Sequence, residues 1–561
     1  MTDQKGREER ALPCADHSEN HLLPETSLSR RGFLAAGAAG ILAPSLAGTA
    51  LAQGAGPAAH GSGHGMTHGG PAITPTQDAP LDPYGARQVR FPENAPLKDP
   101  EVRSSANGVL ETTLRASYDY HDVGGYRLYL RNYEGMIPGP TLRVKPGDVL
   151  KIRLINDLPP NRDQMPEQMN QPHLLNTTNF HFHGSHVSPS GIADNVMRSM
   201  HPGQSYDVEI AIPVDHTRGL AWYHPHHHGS ADIQIASGMA GAIVIEGDFA
   251  DVPEIAAAKE RVLVLGEVVF DAHGMVEGFD TVFSETSVRF LTLNGQRAPM
   301  LTMRPGEVQR WRLLHAGYQD DLFLLLAQHQ LIAIARDGIG LSTMGMGEVR
   351  TDQKDLRDAL LIGPGQRIDV LVKAGAPGIY DLKALPYNQG YPSPSGLIAR
   401  LKVEGEPLPM NLPARLPPPP LATIRDEEIT NRRQLTFSAI VPENEAAANW
   451  REFRFQVDGK SFDMNRVDQR VKLGAVEEWT IKNLHFHDHI FHIHTNPFQL
   501  VKVNGEAVAP VWLDTVVLPR YGSVTLRSRF LDFTGKFMLH CHMMNHEELG
   551  MMQVVEVYDG A

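Results

Sequence analysis

The most chemically distinctive stretch of this sequence is Leu539-His540-Cys541-His542-Met543. Successive side chains on a β-strand point to opposite faces. On a strand, the Cys541 thiolate therefore faces one side, while the imidazoles of His540 and His542 face the other. A soft thiolate combined with imidazole and a distant methionine is typical of a blue-copper electron-transfer centre. The two imidazoles on the opposite face favour a second metal site, joined to the first through the peptide bonds of Cys541.

Three further segments repeat the His-x-His spacing, which places two imidazoles on one face of a strand. They are His181-Phe182-His183, His224-Pro225-His226 and His492-Ile493-His494. His489 precedes the last of these by three residues, and this odd spacing turns it to the side where Cys541 is expected. His546 and Met551 follow the final motif. The sequence thus offers eight imidazoles for one site, and two imidazoles, a thiolate and a thioether for the other.

These four motifs together resemble the copper-binding motifs of the multicopper oxidases, the family of laccases, bilirubin oxidases and bacterial cuprous oxidases. The resemblance extends from about residue 105 to residue 557. It implies four copper ions per chain, namely one type 1 ion, one type 2 ion and a type 3 pair. The implied type 1 ligands are His489, Cys541, His546 and axial Met551. The implied type 2 ligands are His181 and His492, and those of the type 3 pair are His183, His224, His226, His494, His540 and His542.

The same resemblance implies two acids for the protons that oxygen reduction consumes. Glu547, directly after His546, matches a family acid beside the dioxygen channel. Asp194, eleven residues after His183, matches an acid near the type 2 copper, in a loop slightly longer than usual. The alternative for Asp194 is a carboxylate that caps its own loop.

Many of the 27 histidines do not fit the motif spacing. Several of them lie close to the motifs or in a Gly- and His-rich stretch near the N-terminus. We interpret these as structural, solvated or transient metal contacts rather than as ligands: His60, His64, His68, His186, His227, His228, His485 and His487.

An internal repeat organises the chain. The segments RVKPGDV, TMRPGEV and RVKLGAV are centred on Gly147, Gly306 and Gly474, and each leads into a strand of alternating residues. Three repeats of short strands and Gly/Pro turns predict an all-β fold of three Greek-key β-barrels or sandwiches. The resemblance identifies them as consecutive cupredoxin-like domains. We predict domain 1 at 105–247, domain 2 at 260–404, a Pro-rich linker at 405–429 and domain 3 at 430–557.

The middle repeat lacks the ligands. The position equivalent to His224 and His540 is Lys383 there, and the apolar residues Phe323 to Leu326 stand where the third repeat has a His-x-His motif. The first and third repeats carry two motifs each, so a shared metal cluster is predicted where they meet. A strand of the middle repeat also alternates, which predicts an outward-facing side chain for Asp369.

The N-terminus reads as a targeting segment. Arg30-Arg31 and a weakly apolar stretch match a twin-arginine signal, with cleavage predicted after Ala52, and residues 53–104 form a low-complexity tail and lead-in. An uncleaved membrane anchor is the alternative. This predicts export by the twin-arginine machinery to the periplasm or the exterior. Cys14 lies in the predicted signal, so Cys541 is the one thiol left for a ligand.

Charge and motifs together define the expected function. A net charge of −14 without basic runs disfavours nucleic acid or an anionic membrane as partner, and no later segment is apolar enough to span a bilayer. The leading prediction is a laccase-like oxidase of phenols that uses O2. The alternatives are a metallo-oxidase acting on Cu(I), disfavoured by few methionines (Met344, Met346 and Met410), and a bilirubin oxidase. A copper nitrite reductase would not need four His-x-His pairs. A degenerate binding scaffold should have lost ligands, whereas this sequence retains all of them.

Overall fold

The computed structural model describes residues 87–162, 165–283, 287–345, 359–442 and 449–560. The predicted signal segment, His60, His64, His68 and Met346 lie outside these residues. Strands predominate in the described parts, so the all-β prediction is confirmed. The α-helices there are short: α1 (Ala231–Ser237), α2 (Pro253–Ala256), α3 (Phe279–Val282) and α4 (Met544–Glu548). Two 3-10 turns cover Asp426–Glu428 and Trp450–Glu452.

The first barrel is defined by ten strands: β1 (Arg87–Gln88), β2 (Val102–Ser104), β3 (Val109–Val123), β4 (Tyr126–Tyr133), β5 (Thr141–Val144), β6 (Val149–Asn156), β7 (His181–His183), β8 (Ser205–Ala211), β9 (Gly219–His224) and β10 (Gly241–Ile245). They form two five-stranded sheets, in the orders β1-β4-β3-β6-β8 and β2-β5-β10-β9-β7. Leu114, Ile152, Phe182 and Ile243 are among the buried residues packed between these sheets.

The second barrel contains eleven strands: β11 (Lys259–Phe270), β12 (Val288–Leu293), β13 (Met300–Met303), β14 (Val308–His315), β15 (Leu322–Leu326), β16 (Ile332–Arg336), β17 (Ile339–Gly345), β18 (Leu360–Ile362), β19 (Arg367–Lys373), β20 (Gly378–Leu385) and β21 (Gly396–Val403). Its sheets have the orders β12-β11-β14-β19-β16-β17 and β13-β21-β20-β15-β18. Leu263, Leu313, Leu324 and Ile398 belong to its core.

The third barrel also contains eleven strands: β22 (Asn431–Ile440), β23 (Arg454–Val457), β24 (Val467–Lys472), β25 (Ala475–Asn483), β26 (His489–Ile493), β27 (Phe498–Val503), β28 (Glu506–Leu513), β29 (Thr515–Leu518), β30 (Ser523–Phe530), β31 (Gly535–Cys541) and β32 (Met552–Tyr558). Its sheets run β23-β22-β25-β30-β27-β28 and β24-β32-β31-β26-β29. The residue boundaries given above for the three domains stay predictions.

The sequence repeat corresponds to a repeated topology. In each barrel a long strand pairs in parallel with the strand that follows the repeated turn: β3 with β6, β11 with β14 and β22 with β25. The turn glycines Gly147, Gly306 and Gly474 have φ of 90°, 80° and 87°. These left-handed angles are favourable for glycine alone, which explains why glycine recurs at this point of each repeat.

Asp369 faces away from the core of its own barrel, as predicted, but it is buried rather than exposed to water. Strand β19 is buried on both faces, and Asp369 accepts hydrogen bonds from Arg310 Nε (3.1 Å) and Arg312 Nη1 (2.7 Å). Arg312 Nη2 in turn donates to Asp248, which follows the first barrel, at 2.8 Å. The alternation of the strand is real, but its second face meets another barrel instead of water. These paired buried charges therefore join the first barrel to the second.

The apolar part of this contact brings the two barrels together without space for added atoms. Trp222 and Val244 of the first barrel pack with Val264 and Leu314 of the second.

No helix in the described residues is long and apolar enough to cross a membrane.

Replacing Gly219 tests this close approach. A Cβ on Gly219 would collide with the carbonyl oxygen of Gly338, a backbone atom that cannot rotate away. We expect Gly219→Ala to lower the free energy of unfolding by about 3 kcal/mol. The control is Gly203→Ala, since Gly203 has a φ of 79° and an added Cβ there meets no atom within 4 Å; it should lose about 1 kcal/mol. Denaturant unfolding measures both, and equal losses would contradict the steric explanation.

Candidate metal centre

The side chains predicted to bind the mononuclear metal meet on one side of strands β26 and β31. These strands are antiparallel neighbours, with Phe491 opposite Cys541. Cys541 Sγ lies 3.5 Å from His489 Nδ1 and 3.8 Å from His546 Nδ1, and the two Nδ1 atoms are 3.0 Å apart. His546, carried by helix α4, is 3% exposed, and the other two are fully buried. One sulfur and two nitrogens therefore converge on a single point.

The chain after Cys541 folds back so that Met551 lies beside it. The Cys541 amide donates to the Met551 carbonyl at 3.0 Å, and the Met551 amide donates to the His546 carbonyl at 2.9 Å. Met551 is fully buried. Phe455 stacks on His546 with ring centroids 4.1 Å apart and covers this side of the group.

The eight remaining predicted ligands are buried on the other side, between the first and third barrels. They fall into overlapping groups of converging donors: His183, His224 and His542; His226, His494 and His540; and His181, His183 and His492. The closest approaches are between ring nitrogens. His226 Nε2 lies 3.1 Å from His540 Nε2, and His183 Nδ1 lies 3.2 Å from His542 Nε2. Each barrel contributes four imidazoles to this cluster.

The hydrogen bonds at the rim of the cluster determine which ring nitrogens are free. His224 Nδ1 lies 2.9 Å from the Pro225 carbonyl, and His492 Nδ1 lies 2.8 Å from the Asp514 carbonyl. A carbonyl oxygen accepts only, so both Nδ1 atoms carry the proton. The Nε2 atoms of these two rings therefore present lone pairs inward. Both are buried and have no hydrogen-bond partner among the described atoms.

Asp194 orients a third ring in the same manner. His181 Nδ1 lies 3.1 Å from Asp194 Oδ2, and the inner Nε2 of His181 is buried without a partner in the described structure. Asp194 Oδ1 also accepts the Phe182 amide at 2.7 Å. Burial raises the pKa of Asp194 to about 8, with the Phe182 hydrogen bond opposing the shift. The carboxylate thus both anchors its loop and contacts a predicted ligand.

Burial keeps these imidazoles uncharged. Desolvation, reinforced by neighbouring imidazoles, lowers the pKa of His226 to about 3 and that of His181 well below its usual range. Desolvation also raises the pKa of the Cys541 thiol to about 12, so a metal must displace its proton. Neutral imidazole and thiolate are the forms that bind copper. Unpartnered inward lone pairs in a buried site are satisfied by a metal cation, and the residues present fit copper.

Glu547 lies at the edge of the cluster. Its Oε2 is 3.3 Å from His540 Nδ1 and its Oε1 is 3.7 Å from His226 Nδ1. Burial, with the charges of Glu548 and Asp232 adding to it, raises the pKa of Glu547 well above its usual range. A carboxyl group that holds its proton at neutral pH is suited to proton donation.

Comparison of the chain with known proteins identifies its family. Sequence models described as "Multicopper oxidase" match residues 168–249, 221–400 and 433–561. The chain belongs to the multicopper oxidase family. This oxidase is therefore a copper-dependent oxidoreductase that uses O2, and the resemblance seen in its sequence is confirmed.

Individual relatives share most of the length of the oxidase. Multicopper oxidase mco of Staphylococcus haemolyticus is 24% identical over 490 residues, which cover 84% of this chain and 93% of the relative. A laccase of Bacillus stratosphericus is 22% identical over 502 residues, covering 76% and 90%. A Campylobacter jejuni multicopper oxidase, described as a metallo-oxidase, has a solved structure with a TM-score of 0.68 and 25% identity, covering 86% of this chain and 98% of its own. The three cupredoxin-like barrels are thus shared with solved multicopper oxidases.

Motif reading missed the residues of the oxidase that support the ligands from behind. Asp514 Oδ1 lies 3.2 Å from His183 Nε2, and Arg367 Nη1 donates to that same oxygen at 2.7 Å. Asp337 accepts the amides of Arg367 at 3.0 Å and Asp514 at 3.1 Å. The available signal was weak: Arg367 is a charged residue at the start of a strand that also carries Asp369 and Lys373. The second barrel, which supplies no ligand, thus supports Asp514, which contacts one.

The histidines interpreted as structural or solvated have definite contacts in the oxidase. His186 Nδ1 lies 2.7 Å from the Thr495 carbonyl, and His228 Nδ1 lies 3.3 Å from Glu548. His485 is buried and its ring lies 5.2 Å from that of His489. None of the described ones is a freely solvated side chain of the surface.

Replacing Arg367 tests this support. Arg367→Met leaves Asp514 buried without its cation, and we expect a loss of about 3–5 kcal/mol in the free energy of unfolding. Asp514→Asn in addition removes the orphaned charge, so the double variant should recover part of the loss. Denaturant unfolding of the two single variants and the double variant measures the coupling. Additive losses would show that the two side chains do not support each other.

Proposed function

We propose that this oxidase is laccase-like: it takes single electrons from phenolic or similar reductants and uses them to reduce O2 to water. The observation that carries the proposal is the twofold convergence around strand β31. The Cys541 thiol meets two Nδ1 atoms on one side, and eight imidazoles meet on the other. With copper bound, a mononuclear centre and a cluster would share one strand, and His540-Cys541-His542 would connect the two for electron transfer.

The proposed ligand set assigns four copper ions per chain. His489, Cys541, His546 and Met551 hold the type 1 ion, and the type 2 ion is assigned to His181 and His492. The type 3 ions are assigned to two trios, His183, His224 and His542, and His226, His494 and His540; this division is supported by the donor groups described above. Bound copper supplies one-electron redox chemistry at the first centre and the binding and reduction of O2 at the others.

The two acids are proposed to serve the protons of this reaction. Glu547 carries a proton beside His540 and His226, where O2 reduction needs it. Asp194 is proposed to act on the type 2 side through His181, to which it is hydrogen bonded. Both roles are supported by burial that raises the pKa of each carboxyl group.

Replacing Cys541 tests the division into two centres. Cys541→Ser removes the thiolate, so we expect the intense blue absorption of a copper-thiolate bond to vanish. The copper content should fall from about four to about three per chain because the eight imidazoles remain. Metal analysis and visible and electron paramagnetic resonance spectra check this. Wild-type protein loaded with copper but lacking a blue band would disprove the proposal.

Replacing Glu547 separates oxygen reduction from substrate oxidation. Glu547→Gln keeps the shape of the side chain but cannot donate a carboxyl proton, so we expect steady-state turnover to fall about a hundredfold. The blue band and its anaerobic bleaching by a phenol should be unchanged, which provides the internal control. Unaltered turnover would exclude a proton role for this residue.

The alternative is a metallo-oxidase that oxidises Cu(I), and it is favoured by the description of the Campylobacter relative. The sequence offers few methionines for a surface that binds Cu(I), and the two of them within the described residues are used in packing. Met344 and Met410 lie against the apolar cluster that includes Ile334 and Leu416, and Met410 Sδ accepts the Val308 amide at 3.4 Å. Turnover of a dimethoxyphenol, bilirubin and Cu(I), each with and without excess copper, discriminates the three activities. Efficient oxidation of Cu(I) alone would make the laccase assignment wrong.

The proposed location is the periplasm or the exterior of a bacterial cell. It is supported by the twin-arginine pattern in the sequence, which lies outside the described residues.

A further inference from the structure

A cavity of about 860 Å³ opens between the rim of the second barrel and the segment that leads into the first. Four aromatic side chains line it: Phe91, Phe290, Tyr318 and Tyr391. Arginines and acids also line it, among them Arg297, Arg400, Glu267 and Asp320. A cleft with aromatic walls and charged groups among them is suited to a small aromatic ligand that carries a charge.

The wall of this cavity that carries Tyr391 lies next to the mononuclear centre. The Tyr391 ring lies 4.8 Å from the His487 ring, which lies nearly parallel to that of His546 with centroids 6.3 Å apart. Gln319 makes a second link: its amide donates to Tyr391 Oη, and its carbonyl accepts from Asn545, both at 3.2 Å. A ligand against Tyr391 is therefore separated from a predicted type 1 ligand by two rings.

The wall that carries Tyr391 lies close to the third barrel because residue 390 is a glycine. Gly390 has a φ of 109°, and a Cβ at this position would lie 2.5 Å from the Phe486 carbonyl oxygen and 2.7 Å from His487 Cα. The absence of a side chain at Gly390 lets the loop that carries Tyr391 lie directly on His487.

One guanidinium that lines the cavity, that of Arg297, is exposed and placed to meet an anionic ligand. The Arg297 guanidinium lies 4.9 Å above the Phe290 ring and donates to the Gly124 carbonyl at 3.3 Å. It is exposed and forms no ion pair with any residue that the structure describes. Burial raises the pKa of Glu267 and of Asp320, and three backbone amides converge on the inner oxygen of Glu267. Glu267 accepts these backbone amides and Asp320 accepts from the Gln389 side chain, so neither acid forms an ion pair with Arg297. Glu93 is exposed.

We propose that this cavity binds an aromatic carboxylate with a phenolic hydroxyl as the reductant of the oxidase. Arg297 binds the carboxylate, which forms strong hydrogen bonds with a guanidinium. The ring of the ligand packs among Phe290 and Tyr391, and the phenolic end faces the wall that leads to His546. The inference rests on the proposed laccase-like function, whose substrate class it narrows.

The chemistry balances without a further reagent. Each ligand loses one electron and its phenolic proton, and becomes a phenoxyl radical. Four electrons and four protons convert one O2, the oxidant of the enzyme, into two waters. Arg297 takes no part in the redox step and acts by holding the carboxylate.

Binding of a ligand that cannot undergo this reaction tests the site directly. The probes are 4-methoxycinnamate, which has no phenolic proton, and its methyl ester, which has no carboxylate. Isothermal titration of the copper-loaded holoenzyme should give a Kd for the carboxylate that rises about tenfold in Arg297→Gln. The Kd for the ester should stay within about twofold. Arg198→Gln is the matched control, since Arg198 also lies over a ring, that of Tyr206 at 3.8 Å, and donates to a backbone carbonyl.

Three results would overturn the inference: no binding of the carboxylate to the wild type, equal weakening of acid and ester, or equal weakening in both arginine variants. Turnover of 4-hydroxy-3-methoxycinnamate and its methyl ester separates this from the proposed function. Arg297→Gln should raise KM for the acid about tenfold with kcat unchanged. If the wild type oxidises neither phenol, the laccase-like function is wrong; if it oxidises both and Arg297→Gln changes neither KM, only the carboxylate site is wrong.

Discussion

The structure depends on keeping ten imidazoles buried, uncharged and turned inward at the same time. Neutral rings tolerate burial only when each outer N–H has an acceptor, because an unsatisfied buried donor is costly. Backbone carbonyls supply this acceptor for His224, His492 and His540, and Asp194 supplies it for His181. These outer hydrogen bonds fix the orientations of these four rings, so their inner nitrogens point into the cluster, whereas the outer Nδ1 of His542 has no partner among the described atoms.

The three barrels contribute differently to the metal centre. The first and third carry the rings on, or directly after, the strand pairs β7–β9 and β26–β31, each pair with two His-x-His motifs. The second carries no ring but places Arg367 and Asp337 behind Asp514, which contacts His183. The barrel without ligands therefore still supports the cluster: its buried Arg367 balances the charge of Asp514, which contacts His183.

Much of this arrangement was predictable from the sequence because strand alternation is a local property. The odd spacing between His489 and His492 predicts opposite faces, and the structure places His489 beside Cys541 and His492 in the cluster. The repeated glycine turns likewise predicted three equivalent barrels. The assignment of each side chain to a particular copper ion stays a prediction, as do the proton roles of Glu547 and Asp194.

The remainder depends on packing between barrels, which no local pattern encodes. Asp369 alternates as an outward residue does, yet it is buried, and Arg312 links it to Asp248, which follows the first barrel. Arg367 and Asp514 are 147 positions apart and carry no motif. The cavity beside Tyr391 is formed by the second barrel and by the segment that leads into the first, so its charge and shape appear only after folding.

The near-complete burial of the ligands has a kinetic corollary. With His546, the most accessible of those at the mononuclear centre, only 3% exposed, an ion cannot reach its donors by diffusion through the native surface. Loading and loss must wait for a transient parting of neighbouring segments, an event governed by local unfolding free energy. For the eight imidazoles between the first and third barrels, metal exchange rates would therefore report how often these barrels separate, whereas exchange at the mononuclear centre would report local opening within the third barrel.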